Sequence, residues 1–417
     1  MPLVLLNGKT QELEAVQEDP SRFAAELERA KRIDGHANCL CSASRPKLVV
    51  RALGAGLILA RWPNTGNEHD KDHCTFFEDE RRSAPGVFDA ADPFIPGPTG
   101  LNAKLDVSVT VRTSGPVPGG GSTARRAGTQ RRSAGLLAFL EYLWEGANLH
   151  KWHGDRYRSC GTCFSRLSAQ IDGGSINSKP MSGIVHVMEP FAEDRKAEID
   201  ARFQSFLGRV VRDKETRRRG SLLCEIKEFK PRKYGFQVLI RQSNLARLFM
   251  SQQLHDKLAA SFAGAFSAIG DTSRRNAALL VLERSASGTL TLVDAAAMLL
   301  SRTYLPCDSS YEVALANRLV DESRRFTKPL RHVGDAATHP DFILNDVCPE
   351  TVIEVYGMSG NVEYEARKLE KRRHYAASGV TCIEWEPTTT HLVIHILTGE
   401  SRSRKSVFTF NDIERRL

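Results

Sequence analysis

His339-Pro340-Asp341-Phe342-Ile343-Leu344, the polar connection Asn345-Asp346-Val347-Cys348-Pro349-Glu350, and then Val352-Ile353-Glu354-Val355-Tyr356 form the stretch on which the fold turns. Two short apolar runs rich in β-branched and aromatic residues, parted by a turn-forming segment, predict a pair of β-strands. Asp341 enters the first and Glu354 lies inside the second. Alternation puts Val352, Glu354 and Tyr356 on one face and Ile353 and Val355 on the other. An ionised carboxylate on an otherwise apolar strand is costly to bury without a partner. Carboxylates from neighbouring strands can hold a hard divalent cation between their oxygens.

The flanking sequence extends this pattern. Upstream, Ser310-Tyr311-Glu312 opens a helical spacing of Tyr311, Leu315 and Leu319. Downstream, Tyr364, Arg367, Lys368, Lys371 and Tyr375 recur at helical spacing, and a strand follows over Val380–Glu386. The order of acidic helix, Pro-Asp strand, Glu strand, basic helix and strand resembles the PD-(D/E)xK nuclease superfamily, over Ser309 to Pro387. The resemblance implies a restriction-endonuclease-like α/β/α domain. Asp341 would stand in the Pro-Asp position and Glu354 in the acidic position of the E-x-K element. Together they would bind Mg²⁺ or Mn²⁺, with Glu312 assisting from its helix. The lysine that such nucleases carry two residues after the acid is Tyr356 here. Lys371 is the first candidate to replace it and Lys368 the second. A plainer reading stands beside this one, since Asp and Glu on paired strands occur in many α/β proteins, where the Glu pairs with an Arg or Lys.

Length and composition set the frame. A chain of 417 residues is long enough for two or three domains with real cores. The excess of 58 Lys+Arg over 50 Asp+Glu gives a net charge of +8. That suits an anionic partner such as DNA, or RNA, and equally a merely soluble basic protein. No apolar run approaches the roughly 18 residues of a membrane span. Met1-Pro2-Leu3-Val4-Leu5-Leu6-Asn7 lacks the basic flank and length of a signal peptide, so a cytoplasmic protein without membrane contact is expected. Nine cysteines, an odd number, argue against a disulfide framework in a reducing compartment and direct clustered thiols toward metal.

Two such clusters stand out. His36-Ala37-Asn38-Cys39-Leu40-Cys41 and His69-Asp70-Lys71-Asp72-His73-Cys74 bracket a region of short predicted strands, Lys47–Arg51 and Gly56–Arg61. A small β domain with little core gains from a metal staple, and Cys39, Cys41, His69 and Cys74 are the expected Zn²⁺ ligands. Buried thiols with solvent histidines are the alternative. The second cluster is His150, His153, Cys160 and Cys163, where a C-x-x-C supplies half of a site. Trp152 and Arg156-Tyr157-Arg158 make a packing or nucleic-acid surface an equal candidate there.

Between these landmarks, residues 11–34 read as one amphipathic helix through Leu13, Val16, Phe23, Leu27 and Ala30. Gly115 to Thr123 reads as a linker or exposed hairpin without a phosphate-loop ending, and Gly135–Leu149 as an apolar helix. Strands and helices alternate from Ser182 to Glu283, and Asp294–Arg302 reads as a short helix. Arg217, Arg218, Arg219, Lys230, Arg232 and Lys233 are the candidate phosphate contacts, with Arg125, Arg126, Arg131 and Arg132 beside the glycine linker open to the same reading. Glu225-Ile226-Lys227 is a literal E-x-K but follows no Pro-Asp strand, and reads as a surface-alternating strand.

Nearly the full length is also similar to the bacterial family known as domain of unknown function eleven-seventy-three, found on integrative and conjugative elements. The matching residues are Cys39-Leu40-Cys41, Arg61-Trp62-Pro63-Asn64-Thr65-Gly66 with His69 and Cys74, Leu143-Trp144-Glu145, Trp152, Glu225–Phe229 leading into Tyr234-Gly235, Lys328-Pro329-Leu330-Arg331 and Asp341–Leu344. The resemblance implies a mobile-element setting and supplies no activity. The expected architecture is a multidomain α/β protein. Residues 1–82 would form a small zinc-stapled β domain, 83–134 a Pro/Gly-rich linker and hairpin, 135–304 a central α/β region, and 305–417 the nuclease-like domain. Its function is expected to be metal-dependent hydrolysis of phosphodiester bonds. The alternatives are an inactive nucleic-acid-binding accessory protein of a mobile element and an interaction scaffold.

Overall fold

The computed structural model describes residues 2–18, 20–53, 56–62, 65–70, 73–77, 93–96, 101–106, 110–112, 134–154, 158–214, 216–330, 339–349, 351–357 and 362–387. Gly115–Thr123 and Arg125, Arg126, Arg131 and Arg132 lie outside the described residues. The fold is mixed α/β and divides into two compact units, Met1–Ala147 with Ser159–Leu299, and Asn148–Arg158 with Leu300–Leu417.

In the first unit, an N-terminal sheet runs in the order Lys9–Glu12, Leu3–Leu6, Ala37–Cys39, Lys47–Leu53, Gly56–Arg61, antiparallel throughout. Leu13, Val16, Phe23, Leu27 and Ala30 are all buried against it, as their spacing predicts. Leu13, Val16, Phe23 and Leu27 each contribute about 2 kcal/mol on burial, and Ala30 less. The single helix expected over 11–34 is instead broken into Leu13–Glu18, a 3₁₀ turn at Pro20–Phe23, Ala24–Arg29, and a π-helical turn over Ala30–Asp34. Pro20 has no N–H to continue an α-helical ladder, which accounts for the break.

A larger mixed sheet follows, in the order Val185–Val187, Gly220–Cys224, Arg274–Arg284, Leu290–Ser301, Leu248–Met250, Gly235–Ile240, Ile226–Arg232. The helices Lys196–Arg209, Gln252–Ser261 and Ala263–Ser267 contribute to its apolar core. Asp294–Arg302 is not a helix; Asp294 to Ser301 lie in the long strand Leu290–Ser301. Alanine and leucine favour helix on propensity alone, but Ala295 through Leu300 are all buried, the signature of a strand covered on both faces.

The second unit holds a sheet in the order Thr381–Trp385, Thr351–Val355, Phe342–Leu344, Phe326–Thr327, Lys151–Trp152. The first pair is parallel and the others antiparallel. The helix Val362–Ser378 makes the crossover between the parallel strands, and Ser310–Asp321 precedes the antiparallel set. The outermost strand, Lys151–Trp152, comes from far upstream in the sequence. Two residues give no pattern to read, so only tertiary pairing reveals it. No helix among the described residues is long and apolar enough to cross a membrane.

Candidate functional site

Phe342 pairs with Ile353 and Leu344 with Thr351, so the two strands form a register that sets Asp341 beside the end of its neighbour. Asp341 Oδ2 accepts the Val355 N–H at 2.7 Å. Glu354 is buried, and both of its oxygens are occupied from the crossover helix. Lys371 Nζ donates to Oε2 at 2.7 Å and Tyr375 OH to Oε1 at 2.6 Å. Burial, and then the charge of Asp341, push the Glu354 carboxyl up to about 7, with Lys371 and Tyr375 pulling the other way.

Lys371 and Glu354 are thus brought together, while Lys368 is not part of that contact. Lys368 pairs with Glu386, and its ammonium lies 4.5 Å from the centroid of the Tyr356 ring. Tyr356 is buried, and its hydroxyl has no hydrogen-bond partner among the described residues. Burial and the nearby Glu354 charge hold that phenol well above its ordinary range. Next to Glu354 in the parallel register is Glu384, which Arg372 grips with two nitrogens.

Glu312 has a different setting from the one its helix position suggests. Ser309 caps the helix, accepting the Glu312 N–H at 3.2 Å, and Glu312 Oε2 accepts the Asp308 N–H at 3.1 Å. This is a capping-box arrangement shifted by one residue, with Glu312 reaching back to the N–H before the cap; Ser309-x-x-Glu312 signals it in sequence. Glu312 Oε2 also lies 2.8 Å from Lys328 Nζ. Lys328 is the site residue that sequence pattern did not single out for chemistry. Its side chain is 1% exposed, and Nζ also lies 2.9 Å from Asp308 Oδ2 and 4.0 Å from Asp341 Oδ1. Burial works against the charge, but Glu312, Asp308 and Asp341 outweigh it and hold the ammonium above its ordinary range. Asp341, Glu354 and Glu312 do not converge as a three-donor group within 4.8 Å.

The N-terminal cluster does converge. Cys39, Cys41, His69 and Cys74 each bring one donor atom within 4.8 Å of all the others. Cys39 Sγ lies 3.6 Å from Cys74 Sγ, and His69 Nδ1 lies 3.4 Å from both Cys41 Sγ and Cys74 Sγ. A tetrahedral Zn–S bond length implies a ligand-to-ligand edge of about 3.8 Å, close to these spacings. Hydrogen bonds from Cys39 and Cys74 depress the Cys41 thiol strongly, and the Asp70 N–H supports it at 3.4 Å. Its hydrogen bond with Cys41 pushes Cys39 up to about 12, and hydrogen bonds to Cys39 and Cys41 hold Cys74 far above its usual range. Three thiols and an imidazole gathered this closely form a donor set suited to a soft divalent cation such as zinc. His73 points away and pairs with Asp70.

His150, His153, Cys160 and Cys163 do not form a second metal group among the described residues. The cysteines open the helix Cys160–Ile171, where Cys163 is fully buried and Cys160 donates toward Glu225 Oε1 at 3.4 Å. The histidines belong to the other unit. Glu225 is also not on a surface-alternating strand. It is fully buried, with Arg241 Nε 3.2 Å from Oε2 and its own N–H donating to Gln242.

The basic segment divides. Arg217 Nη1 and Arg219 Nε each lie 3.0 Å from the buried Glu283 carboxylate, so their charges are engaged within the fold. Arg218 is exposed. Lys230, Arg232 and Lys233 lie at and beside the tip of the hairpin formed by Ile226–Arg232 and Gly235–Ile240, next to Tyr234, which is 83% exposed.

A family model described as "Protein of unknown function (DUF1173)" matches residues 11–388, and the chain belongs to that family. No curated protein and no solved structure matches it.

Proposed function

Taking membership of that family as the premise, we propose that the chain is a metal-dependent phosphodiesterase acting on DNA, with its centre in the second unit. The observation that carries this reading is the approach of Lys371 to Glu354 at 2.7 Å, beside Asp341. An ammonium delivered from the following helix can stand in for the lysine that Tyr356 displaces. Asp341 and Glu354 are hard oxygen donors of the kind Mg²⁺ or Mn²⁺ takes, and they are the residues that would hold it. Such an ion, when bound, supplies positive charge to the phosphate and acidifies water. Tyr375 and Lys371 fix the Glu354 carboxylate, and Lys371 offers its ammonium to a phosphate oxygen as negative charge builds there. Glu312 acts by capping its helix and pairing with Lys328.

The first unit carries, on this reading, a structural Zn²⁺ on Cys39, Cys41, His69 and Cys74, and the hairpin cations Lys230, Arg232 and Lys233 contact the nucleic-acid backbone. The family resemblance extends the proposal to a role on a mobile element. A second reading, a nuclease fold that binds nucleic acid without cutting it, is favoured by the buried Tyr356 with Lys368 over its ring. The separating experiment is cleavage of linear, circular and single-stranded DNA with Mg²⁺ or Mn²⁺, comparing wild type with Asp341→Ala and Glu354→Ala. Cleavage lost in both variants supports the enzyme. Folded wild type that binds DNA and cuts none of the substrates supports the second reading.

A further inference from the structure

Burying a lysine ammonium is expensive, and one at 1% exposure persists only where carboxylates surround it. Lys328 meets this condition. Its backbone N–H is anchored on His150 O at 2.8 Å, and its ammonium lies 5.6 Å from the Phe342 ring centroid. Nζ reaches Glu312 and Asp308 at hydrogen-bond distance and faces Asp341 at 4.0 Å. Glu312 has no spare capacity, because Oε2 takes Lys328 and the Asp308 N–H while Oε1 accepts from Ser309 Oγ at 3.3 Å. An ion binding to Glu312 would have to displace an ammonium that is itself 1% exposed, whereas Lys371, the partner of Glu354, is 28% exposed and can turn toward solvent as an ion binds.

We propose that Lys328 is a built-in cation standing where a second metal ion would otherwise be needed, so that the centre takes one divalent ion, on Asp341 and Glu354, and Glu312 ligates none. The proposal rests on the metal-centre reading above. The charges agree with it. Asp308, Glu312 and Asp341 face Lys328 and Glu354 faces Lys371, so carboxyl groups outnumber ammonium groups around the centre. Lys328 also bridges the acidic end of the Ser310–Asp321 helix to the Asp341 strand, a positioning role that a diffusible ion would fill only when bound.

The test is Mn²⁺ titration of the full, zinc-loaded chain, with free Mn²⁺ followed by electron paramagnetic resonance. Wild type is expected to bind one Mn²⁺, lost in Asp341→Ala, and Lys328→Met to bind a second in the vacated carboxylate set. Glu312→Gln, which keeps the shape of the helix cap, is expected to leave Mn²⁺ affinity within about threefold of wild type, whereas loss of a ligand would cost at least about tenfold. Two ions in wild type, one ion in a folded Lys328→Met, or a tenfold loss in Glu312→Gln would each overturn the assignment while leaving the metal centre standing. No Mn²⁺ bound by wild type would remove the metal centre and the assignment together. Should Lys328→Met not fold, the Glu312→Gln affinity decides.

Discussion

Lys371 Nζ lies 2.7 Å from Glu354 Oε2 and 2.9 Å from the backbone oxygen of His339, so one ammonium from the crossover helix ties the Glu354 strand to the segment that leads through Asp341 into the neighbouring strand. Lys368, one turn earlier, is drawn instead to Glu386 and the Tyr356 ring. The two lysines should therefore differ sharply in consequence. Lys371→Met is expected to lower metal-dependent DNA cleavage by about 10²–10³, the scale on which a positioned charge acts on a transition state. Lys368→Met loses a buried ammonium's pairing with Glu386 and its contact with the Tyr356 ring, neither of which touches Asp341 or Glu354, so it should cost stability while cleavage by the folded protein stays near wild type. Equal losses in the two variants would argue against Lys371 as the replacement lysine.

Glu354 supplies a pH signature. Burial raises its carboxyl from 4.5 to about 7 in the folded chain. Between those values the folded state binds the proton more tightly than the unfolded state does. The contribution to stability is therefore complete below about pH 4.5 and is lost as pH rises through 7. Its size is about 1–3 kcal/mol. The melting temperature of the second unit should fall between pH 5 and 8, and Glu354→Gln should flatten that slope. On the proposed metal centre, Mg²⁺ should stabilise the wild type more at pH 8 than at pH 5.5, because only an ionised carboxylate would ligate it. A pH-independent melting profile in wild type would show that Glu354 ionises at its ordinary value.

Much of this was legible from residue pattern, and the failures have physical causes. The strand pair around Asp341 and Glu354, the helix carrying Lys371 and the buried stripe from Leu13 to Ala30 follow from apolar periodicity, a local property. The Cys39, Cys41, His69 and Cys74 group was readable because thiols and imidazoles repeated at short spacing in two segments are typical of metal ligands. Lys328 was not readable in this way. A lysine before a proline looks like a loop residue, and its burial depends on three acids distant in sequence. Ser309-x-x-Glu312 did carry a signal, the capping box, which explains Glu312 more fully than its place on an acidic helix. Asp294–Ser301 misled because alanine-rich composition favours helix until two-sided burial overrides it.

The basic segment should also separate into two classes. Arg217 and Arg219 both serve Glu283, whose side chain is 7% exposed, so removing that acid leaves two guanidinium groups facing each other. Glu283→Ala is expected to destabilise the first unit by about 2–4 kcal/mol in urea unfolding. Replacing Lys230, Arg232 and Lys233 together by Ala should leave stability nearly unchanged while weakening DNA binding and lowering its salt slope by about 2–3. An unchanged salt slope in the triple variant would move the phosphate contacts away from the hairpin.

Cys39 is fixed by a sheet strand and Cys74 by a short turn, and the sulfurs lie 3.6 Å apart with His69 Nδ1 close to Cys74. A cation of the zinc type binds thiolates, so it replaces the protons of these thiols. Binding should therefore release protons and grow tighter with rising pH. Purified protein is expected to carry one zinc by elemental analysis. Cys74→Ser should lose it and lower the melting temperature of the first unit, since structural zinc contributes folding energy on the scale of about 10 kcal/mol. Cys163→Ser is the control, because that thiol is buried in the Cys160–Ile171 helix and is not among the ligands; it should retain the zinc. Chelation of wild type should reproduce the Cys74→Ser melting curve without further effect on Cys74→Ser itself. Zinc retained by Cys74→Ser but lost from Cys163→Ser would shift the metal to the second cysteine pair.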